Sequence, residues 1–169
     1  MNLEIRADTR IKENLKKYQD RLLRLQKLNA EEPPTQKAAM GMLCHVFGHD
    51  LTHVFCLHVD TNGRFFDAAT KEDKKFFCML ECKRIGTPKK DFPNYLHQVI
   101  KYCTALNVTW GILTNGAFWQ LFYVDVKATP ATATLVWEFD VLALSHRQAA
   151  HRKMLLPLCR ESLVNYLKE

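Results

Sequence analysis

The segment Phe76-Phe77-Cys78-Met79-Leu80-Glu81-Cys82-Lys83 is strongly apolar and ends on two charged residues. Side chains alternate across a strand, so Cys78, Leu80 and Cys82 face one way while Met79, Glu81 and Lys83 face the other. A carboxylate and an ammonium then share one face, where desolvation is costly unless they have a partner or a use. Asp67 precedes Glu81 by fourteen residues on a second strand candidate, and a hairpin through Lys71-Glu72-Asp73-Lys74-Lys75 would bring the two acids together. Two acidic oxygens beside a lysine make a site for a hard divalent ion such as magnesium. On the following predicted helix Gln98 and Tyr102 are four residues apart and share a face. The plainer alternatives are an exposed strand end with Glu81 and Lys83 paired to each other, and a Tyr102 that only packs its helix.

The elements that must position these residues follow from periodicity. Apolar residues at Ile11, Leu15, Tyr18, Leu22 and Leu25 give a helical stripe over residues 8–29, either a dimer arm or a face packed on the chain's own core. Residues 35–47 form a second helix that Pro33 and Pro34 can start and Gly48 can end. Strands follow at Val54–Val59 and Arg64–Ala69, joined by Asp60-Thr61-Asn62-Gly63, and then at Phe76–Lys83, closed by Gly86-Thr87-Pro88. A helix over 92–106 precedes strands at Val108–Leu113, Phe118–Val124 and Leu135–Phe139, with Asn115-Gly116 as a tight turn. A last helix spans 145–168. This order predicts a mixed α/β fold, a central sheet of five to six strands flanked by helices.

Composition narrows the class. In 169 residues, 24 Lys and Arg against 18 Asp and Glu leave a net charge of +6, the sign that suits a polyanion without demonstrating one. Cys44, Cys56, Cys78, Cys82, Cys103 and Cys159 form no CxxC pair, which reads as reduced, buried thiols rather than a zinc ribbon. No signal peptide and no membrane-spanning stretch is visible, so a cytoplasmic protein is expected. His45, His49 and His53 recur at every fourth position, but Gly48 and Asp50 end the helix between them, and buried or capping histidines are the simpler reading. No Gly-x-x-x-x-Gly-Lys-Ser/Thr run exists, so no ATP site is expected in this chain.

Phe66-Asp67, Leu80-Glu81-Cys82-Lys83-Arg84-Ile85-Gly86, Gln98-Val99-Ile100-Lys101-Tyr102 and Gly111-Ile112-Leu113-Thr114-Asn115-Gly116 together resemble the nuclease domain at the N-terminus of type I restriction enzyme R subunits. That domain is a member of the PD-(D/E)XK nuclease superfamily. The resemblance covers roughly residues 32–142 and includes Phe47-Gly48-His49-Asp50, similar to the family's Leu-Gly-Tyr-Asp helix end; Phe66 stands where Pro or Val is usual. It implies a restriction-endonuclease-like core in residues 31–169, with residues 1–30 as a helical extension. It further implies a magnesium ion, or manganese in its place, held by Asp67, Glu81 and the backbone carbonyl of Cys82. Lys83 would assist the attacking water, Gln98 would support the site, and Tyr102 would contact DNA. A further acid on the preceding helix is matched best by Glu32.

Magnesium-dependent cleavage of DNA is the function these matches imply. The alternative is a non-catalytic DNA-binding or assembly subunit of a restriction, defence or mobile-element complex. Lys71, Lys74, Lys75, Arg84, Lys89 and Lys90 flank the site in sequence and are candidates for a rim that tracks phosphates. A homodimer, or a larger complex, would form through the first helix.

Overall fold

A computed structural model of the chain describes residues 3–50, 54–55, 67–73 and 75–166. Two helices come first, α1 (Leu3–Lys27) and α2 (Glu32–His45). The strands are β1 (Val54–Phe55), β2 (Ala68–Glu72) and β3 (Lys75–Cys82) before helix α3 (Leu96–Leu106), then β4 (Trp110–Thr114), β5 (Phe118–Asp125) and β6 (Thr132–Asp140). Two short helices, α4 (Ala149–Lys153) and α5 (Arg160–Tyr166), close the chain. All six strands form one sheet in the order β1-β2-β3-β4-β5-β6. Only β3 and β4 run parallel, and α3 supplies the crossover that a parallel pair requires. The fold is mixed α/β, with helices flanking a mixed sheet.

The sheet has a core on each face. Cys78, Leu80 and Cys82 pack into the one shared with α1, α2 and the C-terminal helices, while Met79 packs against Val99 and Cys103 of α3. From Cys78 onward this is the alternation expected of β3, whereas Phe77, at a break in register with β2, joins the first core. Strand β4 is buried along its whole length, and Gly111 is where α3 comes closest: a Cβ there would lie 2.4 Å from Val99 Cγ1 and 3.0 Å from Cys103 Sγ. Gly111→Ala is therefore expected to lower stability by about 1–3 kcal/mol through overpacking. A chemical-denaturation midpoint unchanged from wild type would show that α3 yields freely.

Ile11, Leu15, Tyr18 and Leu22 are almost fully buried against α2 and the rest of that first core, so the stripe on α1 is core rather than a dimer arm. The two helices touch at Gly41, where a Cβ would stand 2.6 Å from the Tyr18 hydroxyl oxygen. Ion pairs fasten the chain's last helices to α1: Arg152 Nε lies 2.7 Å from Asp8, and Arg10 Nη1 lies 2.7 Å from Glu161.

Several boundaries differ from the sequence reading. Lys71 and Glu72 belong to β2 rather than to a loop, because the hairpin turns at Asp73, whose φ is +48°, and a register shift at Thr70/Lys71 lengthens the ladder. Glu72 is held there by an ion pair with Arg160. Of the expected hairpin over 54–69, only Val54–Phe55 and 67–69 lie within the described residues. The expected helix over 92–106 begins as a 3-10 helix, Lys89–Tyr95, with Pro93 inside it. The single last helix is broken in two, because Pro157 has no N–H to give and seats a 3-10 turn, Leu156–Leu158, between α4 and α5. Strand β6 starts three residues early, its alternating Thr132-Ala133-Thr134 pairing with Asp125 to Tyr123.

Candidate active site

Residue Ala68 of β2 pairs with Leu80 of β3, and one step further along the same register sets Asp67 across from Glu81. Asp67 is held from two sides. One carboxylate oxygen accepts the Cys82 backbone N–H at 2.5 Å, and the other accepts Gln36 Nε2 at 3.0 Å. Gln36 Nε2 also reaches the Asp67 carbonyl at 3.1 Å, so α2 fixes both the side chain and the main chain of this residue. Glu81, only 5% exposed, accepts Lys83 Nζ at 2.6 Å. The ammonium of Lys83 also lies 4.8 Å from the centre of the Tyr95 ring, in cation–π contact. Lys83 is thus clamped between a carboxylate and an aromatic face.

Each of these placements has a local cause. Glu81 and Lys83 share a face through strand alternation, and Cys82 between them turns its side chain into the opposite core. Its main-chain carbonyl consequently stands at the strand end between the two charged residues. Tyr95, Gln98 and Tyr102 recur at helical spacing over the end of the 3-10 helix and α3, on the side of the sheet that Glu81 occupies. The Gln98 side-chain oxygen is buried and has no hydrogen-bond partner. An acceptor left this way is costly, and it suits a donor brought by water or substrate. Glu32 begins α2, and its charge is felt by both Glu81 and Lys83.

The electrostatics bind these groups into one unit. Burial, and then the charge of Asp67, pushes the Glu81 carboxyl up from 4.5 to about 7 despite the hydrogen bond from Lys83. For Lys83, burial works against the charged form, but the Glu81 hydrogen bond and charge, with Glu32 and Asp67 behind them, hold its pKa above the ordinary value. The Tyr102 hydroxyl is raised by burial and then by the Glu81 charge. The charge of Asp67 thus disfavours the ionised Glu81, and Lys83 is the cation set against it.

Among the described residues no three His, Cys, Asp or Glu side chains stand together as a ready-made metal cluster. The donor set on offer is Asp67, Glu81 and the Cys82 carbonyl. That suits magnesium, which is commonly held by one or two carboxylates and keeps several waters. A zinc cage of thiolates or imidazoles has no counterpart here. His49 is buried, with burial lowering its pKa to about 4 and Nε2 facing the Leu158 carbonyl at 3.2 Å, while His45 shares a hydrogen bond with the Tyr18 hydroxyl. His53 and Cys56 lie outside the described residues. The other five cysteines are free thiols and buried.

Part of the lysine rim read from sequence lies away from the site. Lys75 opens β3 and stands roughly 20 Å from Glu81 at the strand's other end. Lys71 lies at that same far end, 4.7 Å over the Phe76 ring. Strands run in opposite directions in a hairpin, so closeness in sequence to Asp67 becomes distance in space. Lys89 is paired with Asp140 at 3.1 Å and sits over Phe118. Lys90 is exposed, Lys74 lies outside the described residues, and Arg84 donates to Asn29 Oδ1 at 2.8 Å. Arg84 follows Lys83 directly, and Lys89 and Lys90 open the 3-10 helix that carries Tyr95.

Gln36 and Tyr95 escaped the sequence reading. Nothing in the spacing of α2 tells which residue meets Asp67, since that depends on how the helix seats on the sheet. No family model, curated protein or solved structure matches this chain. No helix among the described residues is long and apolar enough to cross a membrane.

Proposed function

We propose that this chain is a metal-dependent nuclease that hydrolyses phosphodiester bonds of DNA, with a restriction-endonuclease-like core of PD-(D/E)XK type. The observation that carries this reading is the convergence of Asp67 and Glu81 from neighbouring strands, with Lys83 fixed on the Glu81 side by its 2.6 Å contact. A mixed sheet with helices on its faces is consistent with such a core.

Hydrolysis joins a water oxygen to phosphorus and breaks the bond to the leaving sugar oxygen, through a state with added negative charge on the phosphoryl oxygens. Asp67, Glu81 and the Cys82 carbonyl would hold magnesium, which supplies Lewis-acid stabilisation of that charge when bound. Gln36 and the Cys82 N–H keep the Asp67 carboxylate from turning away. Lys83 stays protonated in its pocket, so its role is that of a charged donor to the phosphate or the attacking water rather than of a base. The unpaired Gln98 oxygen is suited to accept a hydrogen bond from that water.

The test is cleavage of supercoiled and linear DNA by the purified chain with magnesium or manganese. Lys83→Ala is expected to remove cleavage by about 10²–10³-fold while leaving circular dichroism unchanged. A wild-type protein that binds DNA but cuts it with no divalent metal would overturn the catalytic reading in favour of a non-catalytic binding or assembly subunit.

A further inference from the structure

With Lys71 and Lys75 at the far end of β3, a further cationic surface is needed along a phosphate backbone, and the charge of α1 is distributed in a way that supplies one. From Lys16 to Lys27 the helix carries Lys16, Lys17, Arg21, Arg24 and Lys27 against the single carboxylate Asp20, which is paired with Lys16. In the helix's first half Asp8 holds Arg152 of α4, and Arg10 is bound by Glu161 of α5. Lys17, Arg21 and Arg24 follow one another at four and three residues, so they form a row turned away from the buried stripe. Lys17 and Arg24 are exposed, and none of the three has a carboxylate partner among the described residues. One cation per helical turn, about 5.4 Å, matches a backbone that carries a charge at comparable intervals.

This row runs toward the site. Asn29, just past the end of α1, accepts a hydrogen bond from Arg84, the residue that follows Lys83. Glu32, three residues further on, already acts electrostatically on Glu81 and Lys83. The C-terminal end of α1 is therefore tied through Asn29 to Arg84, the neighbour of Lys83.

We propose that Lys17, Arg21 and Arg24 of α1, continued by Arg84, form the surface that holds the DNA backbone and delivers it to the Asp67–Glu81–Lys83 end of the sheet. The surface rests on the nuclease reading for its purpose but is tested apart from it. Binding is measured by the fluorescence anisotropy of a short labelled DNA duplex, in calcium and in chelator, across a series of salt concentrations, so that no cutting is needed. The double variant Lys17→Glu/Arg24→Glu, both at exposed positions, is expected to weaken binding at least about tenfold and to flatten the salt dependence by about one to two in slope. Lys75→Glu/Lys127→Glu makes the same charge change at the opposite end of the sheet and is expected to leave binding within about twofold. Arg21→Glu, checked by thermal midpoint because it is half-buried, provides a third variant for the same row.

Equal loss in both double variants would overturn the proposal, because binding would then follow total charge alone. So would a wild-type chain that fails to bind at low salt, or one that prefers an RNA duplex to the DNA duplex. A chain that binds through α1 and never cuts would keep this surface and refute the nuclease reading. One that cuts normally after the α1 reversal would do the opposite.

Discussion

Glu81→Gln is expected to reduce DNA cleavage by about 10²–10³-fold and, in the absence of metal, to make the protein more stable at alkaline pH. The two effects have one origin. Burial and the neighbouring Asp67 raise the Glu81 carboxyl to about 7, so the folded chain holds that proton more tightly than the unfolded chain, where the group titrates at 4.5. Stability from this group is fully present below the unfolded value and is lost as the pH rises through the folded one. At about 1.4 kcal/mol per pH unit, the ionised acid costs folding roughly 3 kcal/mol above that window. Glutamine cannot ionise, so the variant should gain most of that amount near pH 8 and almost nothing near pH 4.

The same argument fixes what a divalent ion does. A cation between the two carboxylates favours the ionised form, so magnesium or manganese is expected to raise the thermal midpoint of the wild-type protein at alkaline pH. The shift should be absent from Glu81→Gln. Thermal melts at several pH values, with and without metal, read this without any cleavage assay. If Glu81→Gln proves less stable than wild type at every pH, Glu81 is an ordinary ion-pair partner of Lys83 and not a strained ligand.

Removal of residues 1–30 is expected to abolish folding, not to trim an extension. Ile11, Leu15 and Leu22 have no exposed surface, and they pack in the same core as Leu80, Ile112 and Trp119 of the sheet. Even Leu15→Ala alone is expected to cost about 2–5 kcal/mol, a large share of the roughly 5–15 kcal/mol that holds a domain of this kind together. Leu15→Asp adds an uncompensated buried charge and should leave the chain insoluble. A fragment of residues 31–169 that unfolds cooperatively would contradict this and restore α1 to the status of an appended arm. Gel filtration of the whole chain is a companion measurement, since the buried stripe leaves no coiled-coil seam on α1.

How far the site was legible depended on how local its determinants are. Glu81 and Lys83 could be placed on one face from alternation alone, because β3 is regular from Cys78 onward, past the register shift at Phe77, with Cys78, Leu80 and Cys82 in one core and Met79 in the other. Asp67 could be placed opposite Glu81 only by assuming a hairpin. The assumption gave the right partner but the wrong turn, since a register shift near Thr70 is set by packing and leaves no composition signal. Pro157 was a readable stop inside the last helix, outweighed by the apolar periodicity on either side of it. Gln36 and Tyr95 belong to a different class. Their contacts arise from the seating of α2 and of the 3-10 helix on the sheet, which no pattern within either element encodes. Lys71 and Lys75 lie away from the site for a geometric reason: a hairpin carries residues near its turn away from the strand ends where the acids meet.

The pairs Asp8–Arg152 and Arg10–Glu161 knot the opening of the chain to its last helices, while the other end of α1, roughly 30 Å away along the helix axis, is tied through Asn29 to Arg84 beside the candidate site. A tag, fluorophore or second module joined at either extremity would accordingly enter from the same quarter of the molecule, remote from where a substrate strand would lie. Tethering this unit to another protein should thus leave the Asp67–Glu81–Lys83 end of the sheet unobstructed, whichever terminus carries the link.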